Sequence, residues 1–166
     1  MFKKVCIIGC GLIGSSLARA IKKNNLAEKI VSSNRSDAAN EKVIELKIVD
    51  HSSSDTKKMV EGSDLVVIAT PLSSYEDVIS KIKNSLKHGI ILTDVGSVKE
   101  NIINLVEKNI PENISWIPSH PIAGTEESGP EAGFSELFQN RWCILTPSKK
   151  AKEKDINLLQ TFWEKV

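Results

Sequence analysis

The fold of this chain is decided by the stretch Val5-Cys6-Ile7-Ile8-Gly9-Cys10-Gly11-Leu12-Ile13-Gly14-Ser15-Ser16-Leu17-Ala18. An apolar run of strand length is followed at once by Gly-x-Gly-x-x-Gly, and then by small and apolar residues at helical spacing. This order of strand, glycine turn and helix is typical of domains that bind a dinucleotide.

Each glycine of this turn has a separate predicted role. Gly9 allows the tight turn out of the strand, Gly11 lets the backbone approach a pyrophosphate, and Gly14 lets the helix pack closely on the strand. We expect the pyrophosphate at the start of the helix, at Leu12 and Ile13, where unpaired N–H groups and the helix dipole favour negative charge.

Composition limits the class of protein. The 166 residues are enough for one domain with its own hydrophobic core. Lys and Arg number 22 and Asp and Glu 21, so a net charge of +1 provides no broad basic surface for nucleic acid or an anionic membrane. We therefore expect small-molecule or protein partners, no nucleic acid and no membrane.

The cysteines indicate the compartment. Cys6, Cys10 and Cys143 have no metal-ligand spacing, and two of them lie in or beside the first strand. They are interpreted as buried thiols in a reducing compartment, so no metal site is predicted and the cytoplasm is the expected location. The apolar run at the N-terminus is too short for a signal peptide or a membrane anchor.

Strand and helix patterns alternate along the rest of the chain. Strands are predicted near residues 29–33, 48–49, 64–71, 90–95, 114–117 and 141–146, and helices near 12–23, 36–46, 57–61, 74–86, 97–110, 134–138 and 149–166. This alternation predicts an α/β fold with a doubly wound, mostly parallel sheet of Rossmann type, and residues 1–166 as one NAD(P)-binding domain.

The residues after the second strand bear on the choice of nucleotide. NAD-binding proteins normally carry an acid there to receive the ribose hydroxyls, and this chain has Asn34-Arg35-Ser36 instead. Asn34 can bond a ribose hydroxyl, while Arg35 and Ser36 can hold a 2′-phosphate, which favours NADP over NAD. The alternative is that Arg35 is a solvated loop charge and Ser36 the N-cap of the next helix.

Two further strand ends point to the same edge of the sheet. Ligands of open α/β sheets bind outside the carboxyl ends of the strands. Thr70 and Pro71 follow the strand from residue 64, and their backbone is expected to face the nicotinamide half of the nucleotide. Ser97 follows the next strand, and its alternative role is the N-cap of the helix after it.

A long segment, residues 118–130, is rich in turn-forming residues and carries His120 between Ser119 and Pro121. Structureless segments of this length in a compact domain are usually functional. The other two histidines have ordinary interpretations: His51 is predicted at the surface and His88 at the end of a helix.

These segments resemble the N-terminal, nucleotide-binding half of the prephenate dehydrogenase family, which includes arogenate and cyclohexadienyl dehydrogenases. The similar stretches are residues 9–18, Ala69-Thr70-Pro71, Thr93-Asp94-Val95-Gly96-Ser97-Val98-Lys99, and Ser119-His120-Pro121-Ile122-Ala123-Gly124-Thr125-Glu126. The first is common to many dehydrogenases and the last is specific. Together they span nearly the whole chain.

The resemblance implies an oxidative decarboxylation with hydride transfer to NAD or NADP. His120 matches the family's catalytic histidine, and neutral imidazole suits proton transfer from a hydroxyl near neutral pH. Ser97 matches a serine that hydrogen-bonds near the substrate hydroxyl. Thr125 falls in the substrate-contacting part of the loop, and Glu126 is similar to an acid at the pocket mouth.

The resemblance also implies a second, helical domain that closes the pocket, supplies basic residues for the substrate carboxylates and forms a homodimer; this chain does not contain it. The sequence leaves open whether prephenate or arogenate is the substrate. Two other functions remain possible: a nucleotide-binding module without chemistry of its own, and another NADP-dependent reductase with the same fold.

Overall fold

The computed structural model describes residues 1–166, except for the side chain at position 101. The strands are β1 (Phe2–Ile8), β2 (Ala27–Ser33), β3 (His51–Ser52), β4 (Leu65–Ile68), β5 (Ile91–Asp94), β6 (Ser115–Trp116), β7 (Ser119–Pro121) and β8 (Cys143–Leu145). The helices are α1 (Leu12–Lys23), α2 (Asp37–Glu45), α3 (Thr56–Val60), α4 (Tyr75–Ile82), α5 (Glu100–Asn109) and α6 (Glu153–Lys165), with a 3-10 turn at Leu72–Ser74 before α4. Over the described residues, none of the helices combines the length and the apolar character that a membrane crossing requires.

The strands β1 to β6 form one parallel sheet in the order β3-β2-β1-β4-β5-β6. This is the order of doubly wound dinucleotide-binding folds, in which the crevice for the ligand opens where the strand order reverses, between β1 and β4. The predicted fold class is therefore confirmed. The strands β7 and β8 form a separate antiparallel pair.

Both faces of the sheet are covered, as a parallel sheet requires. Alternate side chains of β1 point to opposite faces, so Val5 and Ile7 join one apolar cluster, and Cys6 and Ile8 join the other. The first cluster includes residues of α1, α2 and α6, and the second includes residues of α3, α4 and α5. From Val5 to Ile8 the central strand therefore has no solvent-facing side, which explains the uninterrupted apolar sequence of that part.

The first helix follows the sequence pattern closely. Its apolar face, which includes Leu17 and Ile21, is fully buried, and Lys22 and Lys23 occupy its last turn near the negative end of the dipole. Asn25 then adopts a left-handed backbone (φ 51°), which ends the helix and leads the chain into β2. The predicted bounds of this β-α-β unit are confirmed to within two residues.

The predicted start of β3 and the predicted end of α4 are wrong, because a tight turn follows α2 and another ends α4. The strand predicted at residues 48–49 lies at His51–Ser52, since the Ile48 N–H bonds back to the Val43 carbonyl and Lys47 has φ 53°. The helix predicted to reach Leu86 ends at Ile82, whose carbonyl receives the N–H groups of residues 85 and 86. His88 is accordingly an exposed turn residue and caps no helix.

Two further predictions, the helix at residues 134–138 and the loop position of His120, are wrong. Residues 134–138 form successive turns and no helix, and the Phe134 N–H donates to the Ser16 hydroxyl of α1 at 3.1 Å. His120, predicted in a loop, lies in β7, where it pairs with Ile144 of β8. That pairing joins residues 24 positions apart, so no local sequence pattern predicts it.

Candidate nucleotide and catalytic site

The glycine turn between β1 and α1 is tightly packed. Gly9 has φ +93°, and a Cβ there would lie 2.9 Å from the Ala69 carbonyl oxygen of the neighbouring strand end. A Cβ on Gly14 would lie 2.1 Å from the Gly9 carbonyl oxygen, well inside van der Waals contact. A Cβ on Gly11 would meet no atom within 4 Å and would project into open space. Contacts within the protein therefore require glycine at positions 9 and 14, and none requires it at position 11.

A cavity of about 520 Å³, here called the β2-side cavity, opens beside this turn at the carboxyl edge of the sheet. Its walls come from the ends of β1, β2 and β4 and from one side of α4. They include residues 9–11, residues 33–36, residues 69–71 and Lys81. The position matches the crevice at the switch point of the strand order.

The three residues predicted to choose the nucleotide all line the β2-side cavity, but they differ in their contacts. The Asn34 Oδ1 accepts the Cys10 N–H at 2.7 Å, which ties the glycine turn to the end of β2. The Ser36 hydroxyl accepts the Ala39 N–H at 3.2 Å, so its alternative role as the N-cap of α2 is confirmed. Arg35 is exposed at the rim.

A second cavity of about 470 Å³, here called the β5-side cavity, shares Gly11 and residues 69–71 with the first. Its other walls are the first residues of α1, the turn after β5 with Ser97, and β7 with His120. The two cavities are therefore neighbours on either side of these shared residues. Ser97 and His120, distant in sequence, line one space with the candidate nucleotide-binding backbone.

The alternative role of Ser97 is wrong, because α5 begins later. The N-cap of α5 is Lys99, with no side-chain cap bond, and Ser97 is exposed two residues before it. Its hydroxyl is therefore not committed to helix capping.

Thr125 and Glu126 are not brought to either cavity. Both are exposed on the segment that follows β7, and neither lines the β2-side or the β5-side cavity. Farther along, this segment packs on α1: a Cβ on Gly133 would lie 2.1 Å from the Ser15 hydroxyl, and the Arg19 guanidinium donates to the Pro130 carbonyl at 3.3 Å.

The residues present fit a dinucleotide on three observations. No side chain caps the N-terminus of α1, so its first-turn N–H groups face the cavities without a side-chain partner. The open space beside Gly11 allows close approach to the backbone. The Thr70 hydroxyl, in the wall that the cavities share, is buried with no hydrogen-bond partner in the described part of the chain.

Comparison with known proteins agrees with this geometry. Residues 17–166 match the family model described as prephenate dehydrogenase, nucleotide-binding domain. The chain belongs to the prephenate dehydrogenase family. It is a nucleotide-binding domain of that family, and the resemblance inferred from the motifs is confirmed.

The relatives are longer than this chain. A cyclohexadienyl dehydrogenase of Zymomonas mobilis is 37% identical over 166 residues, which is all of this chain and 56% of the relative. The crystal structure of A. aeolicus prephenate dehydrogenase with hydroxyphenyl propionate and NAD+ superposes with a TM-score of 0.90 at 27% identity, covering 99% of this chain and 57% of that one. The crystal structure of Synechocystis arogenate dehydrogenase superposes with a TM-score of 0.84 at 26% identity, covering 97% of this chain and 56% of that one. The chain thus spans about half the length of these prephenate dehydrogenase relatives.

Sequence reasoning missed one group of side chains beside the β5-side cavity. Asp94 ends β5 with a fully buried carboxylate, and Lys99 lies 2.7 Å from it with a side chain only 15% exposed. The Tyr75 hydroxyl donates to the same carboxylate at 2.9 Å. Burial, reinforced by Asp94, raises the pKa of Tyr75; burial lowers the pKa of Lys99, and Asp94 opposes that shift. The available signal was an acid in the last position of a strand that begins with apolar residues.

Proposed function

We propose that the protein catalyses the oxidative decarboxylation of prephenate or arogenate, with hydride transfer to NAD or NADP. One observation carries the proposal: the β5-side cavity joins the glycine turn, Ser97 and His120 in a single space. A nucleotide held by the start of α1 would run past the residues that both cavities share, with its nicotinamide end toward His120. Relatives named as prephenate, arogenate and cyclohexadienyl dehydrogenases support this reaction class.

The proposed roles follow from the chemistry of the substrate class. The nicotinamide, when bound, supplies the acceptor for a hydride from the ring carbon that bears the hydroxyl. His120 accepts the hydroxyl proton as carbonyl character develops at that carbon, and Ser97 hydrogen-bonds the same oxygen. When the ring carboxylate leaves as CO₂, its bonding electron pair makes the ring aromatic, and His120 returns the proton to the ring oxygen.

The remaining roles rest on family resemblance. Thr125 and Glu126 are proposed substrate contacts, although neither lines a cavity in this structure. Basic groups for the substrate carboxylates and the homodimer contacts are proposed for the part of the relatives that this chain does not cover. A cytoplasmic location is proposed from the thiols: Cys6, Cys10 and Cys143 are all unpaired in the described structure.

Steady-state turnover of the natural full-length protein tests the proposal. Prephenate and arogenate are each offered with NAD and with NADP, and reduced nucleotide and CO₂ are measured together. The proposal requires equal amounts of reduced nucleotide and CO₂ with at least one combination of substrate and nucleotide. Tight nucleotide binding with no turnover of either substrate would instead support a binding module, and reduction without CO₂ would support another reductase.

Arg35→Asp tests the proposed preference for NADP. Arg35 is exposed at the rim of the β2-side cavity, where its guanidinium could hold a 2′-phosphate. We expect the ratio of NADP to NAD affinity to fall by about tenfold or more, because a charge-assisted bond is replaced by repulsion. Lys29→Asp, on the exposed part of β2 outside both cavities, is the charge-matched control. An unchanged ratio in Arg35→Asp would refute a role in nucleotide choice.

A further inference from the structure

The carboxylate of Asp94 is the centre of a buried hydrogen-bond cluster. Its Oδ2 accepts the Tyr75 hydroxyl at 2.9 Å and the Gly96 N–H at 3.1 Å, and its Oδ1 accepts the Ser119 N–H at 3.1 Å. The Lys99 ammonium donates to both oxygens, at 2.7 and 2.9 Å. Two of these donors are backbone groups of separate chain segments, so one side chain links the end of β5 to the start of β7.

The backbone groups that Asp94 holds directly precede the two proposed reacting residues. Gly96 comes immediately before Ser97, and Ser119 comes immediately before His120. A bond to each of these N–H groups fixes the origin of the following side chain. A single carboxylate thus holds the backbone next to both proposed reacting residues.

Ser119 is restrained at every polar atom it carries. Its carbonyl accepts the Lys99 ammonium at 2.6 Å, so the ion pair holds both its N–H and its C=O. Its hydroxyl lies 2.7 Å from the Thr93 hydroxyl and accepts the Trp163 indole N–H at 3.2 Å. Such complete restraint leaves the next residue, His120, little freedom at its backbone.

The backbone at Gly96 is packed as tightly against the cluster. A Cβ there would lie 2.9 Å from the Leu72 side chain and 3.0 Å from both the Asp94 carboxylate and the Tyr75 hydroxyl. The cluster therefore packs against the backbone that leads to Ser97 and leaves no room for movement toward it.

Stability alone is a weak explanation for such a cluster. A buried ion pair often contributes little net stability, because the loss of hydration offsets the attraction between the charges. Catalysis, in contrast, is sensitive to placement, and a misplacement of about 1 Å can cost roughly 10²-fold in rate. The location of the cluster beside the β5-side cavity favours a role in placement.

We infer that Asp94, together with Lys99 and Tyr75, is a positioning cluster that sets the relative placement of His120 and Ser97 for the reaction. The inference rests on the proposed function, in which these two side chains act on the substrate. Asp94 and Tyr75 are positioning residues and touch neither substrate nor nucleotide in this scheme.

Two variants of the full-length protein test it. Asp94→Asn keeps the shape but removes the charge and half of the acceptor capacity, and we expect kcat to fall by about 10²-fold. Tyr75→Phe removes one hydrogen bond and leaves the ion pair in place, so it should fold even if the first variant does not, and we expect kcat to fall by about three- to tenfold. KM for the nucleotide should change less than twofold in both, because the start of α1 is untouched.

Asp155→Asn is the matched control. Asp155 is also a buried acid, bonded to the Ser115 hydroxyl, but it lies on α6, its partner is the first residue of β6, and it lines neither cavity. We expect it to lower the melting temperature without changing kcat at temperatures where the protein is folded.

A spectroscopic signature separates this inference from the proposed function. With ¹³C-labelled histidine, the imidazole signal that disappears in His120→Asn is assigned to His120. We expect Tyr75→Phe to shift that signal and to leave those of His51 and His88 unchanged. If the signal shifts in a protein that turns over neither substrate, the positioning holds and the proposed function fails. An unshifted signal, or a loss of kcat in Asp155→Asn equal to that in Tyr75→Phe, would overturn the inference.

Discussion

His120→Ala is expected to lower kcat of the full-length protein by about 10²–10⁴-fold while leaving nucleotide affinity unchanged. The magnitude is that of general base catalysis, which is lost when no group near the substrate hydroxyl can take its proton. The affinity should persist because His120 lines only the β5-side cavity, and the β2-side cavity retains all of its walls. The measurements are steady-state turnover and fluorescence titration with NAD and NADP.

His88→Ala is the matched control for this prediction. His88 is exposed in the turn before β5 and lines neither cavity, so its loss should leave kcat unchanged. His120→Asn adds a second check, because the amide can hydrogen-bond the substrate but cannot accept its proton at neutral pH. Turnover within a few-fold of the parent protein in either His120 variant would show that another group is the base.

The part of the fold that sequence predicts best is the part encoded locally. In β1 and α1, the apolar run, the glycine turn and the helical face occupy consecutive residues, so each local preference agrees with the tertiary structure. The parallel sheet follows because consecutive strands separated by helices must return in the same direction. Boundaries such as the end of α4 were misplaced because a tight turn at Ile82 overrides an apolar pattern that continues to Leu86.

The candidate site divides in the same way. The glycines, Thr70, Ser97 and His120 could be found because each follows a strand end, and strand ends share one edge of the sheet. The Asp94 cluster could not be found from the sequence, because the partners of Asp94 come from three segments of the chain and its role depends on burial. A sequence shows that an acid ends a strand, but it does not show that Tyr75, Lys99 and Ser119 converge on it.

Gly14→Ala is expected to destabilise the protein by about 1–3 kcal/mol, although alanine is the better helix former. Gly14 lies within α1, so without steric conflict the change would stabilise the helix by about 1 kcal/mol. The added Cβ would instead lie 2.1 Å from the Gly9 carbonyl oxygen, a backbone atom that cannot turn away. The sign of the change in melting temperature therefore decides whether the glycine turn is as tightly packed as the structure has it.

Gly11→Ala separates packing from ligand binding at the same turn. Its Cβ would meet no protein atom within 4 Å, and its φ of −74° is open to any residue, so the melting temperature should fall only slightly. The methyl group would occupy the space through which a pyrophosphate approaches the start of α1, and we expect NAD and NADP affinity to fall by about tenfold or more. Gly14→Ala should thus lower the melting temperature, and Gly11→Ala should lower nucleotide affinity with the melting temperature nearly unchanged. A Gly11→Ala protein that binds both nucleotides as tightly as the parent would place the pyrophosphate elsewhere, because a dinucleotide seated on this turn cannot avoid that methyl group.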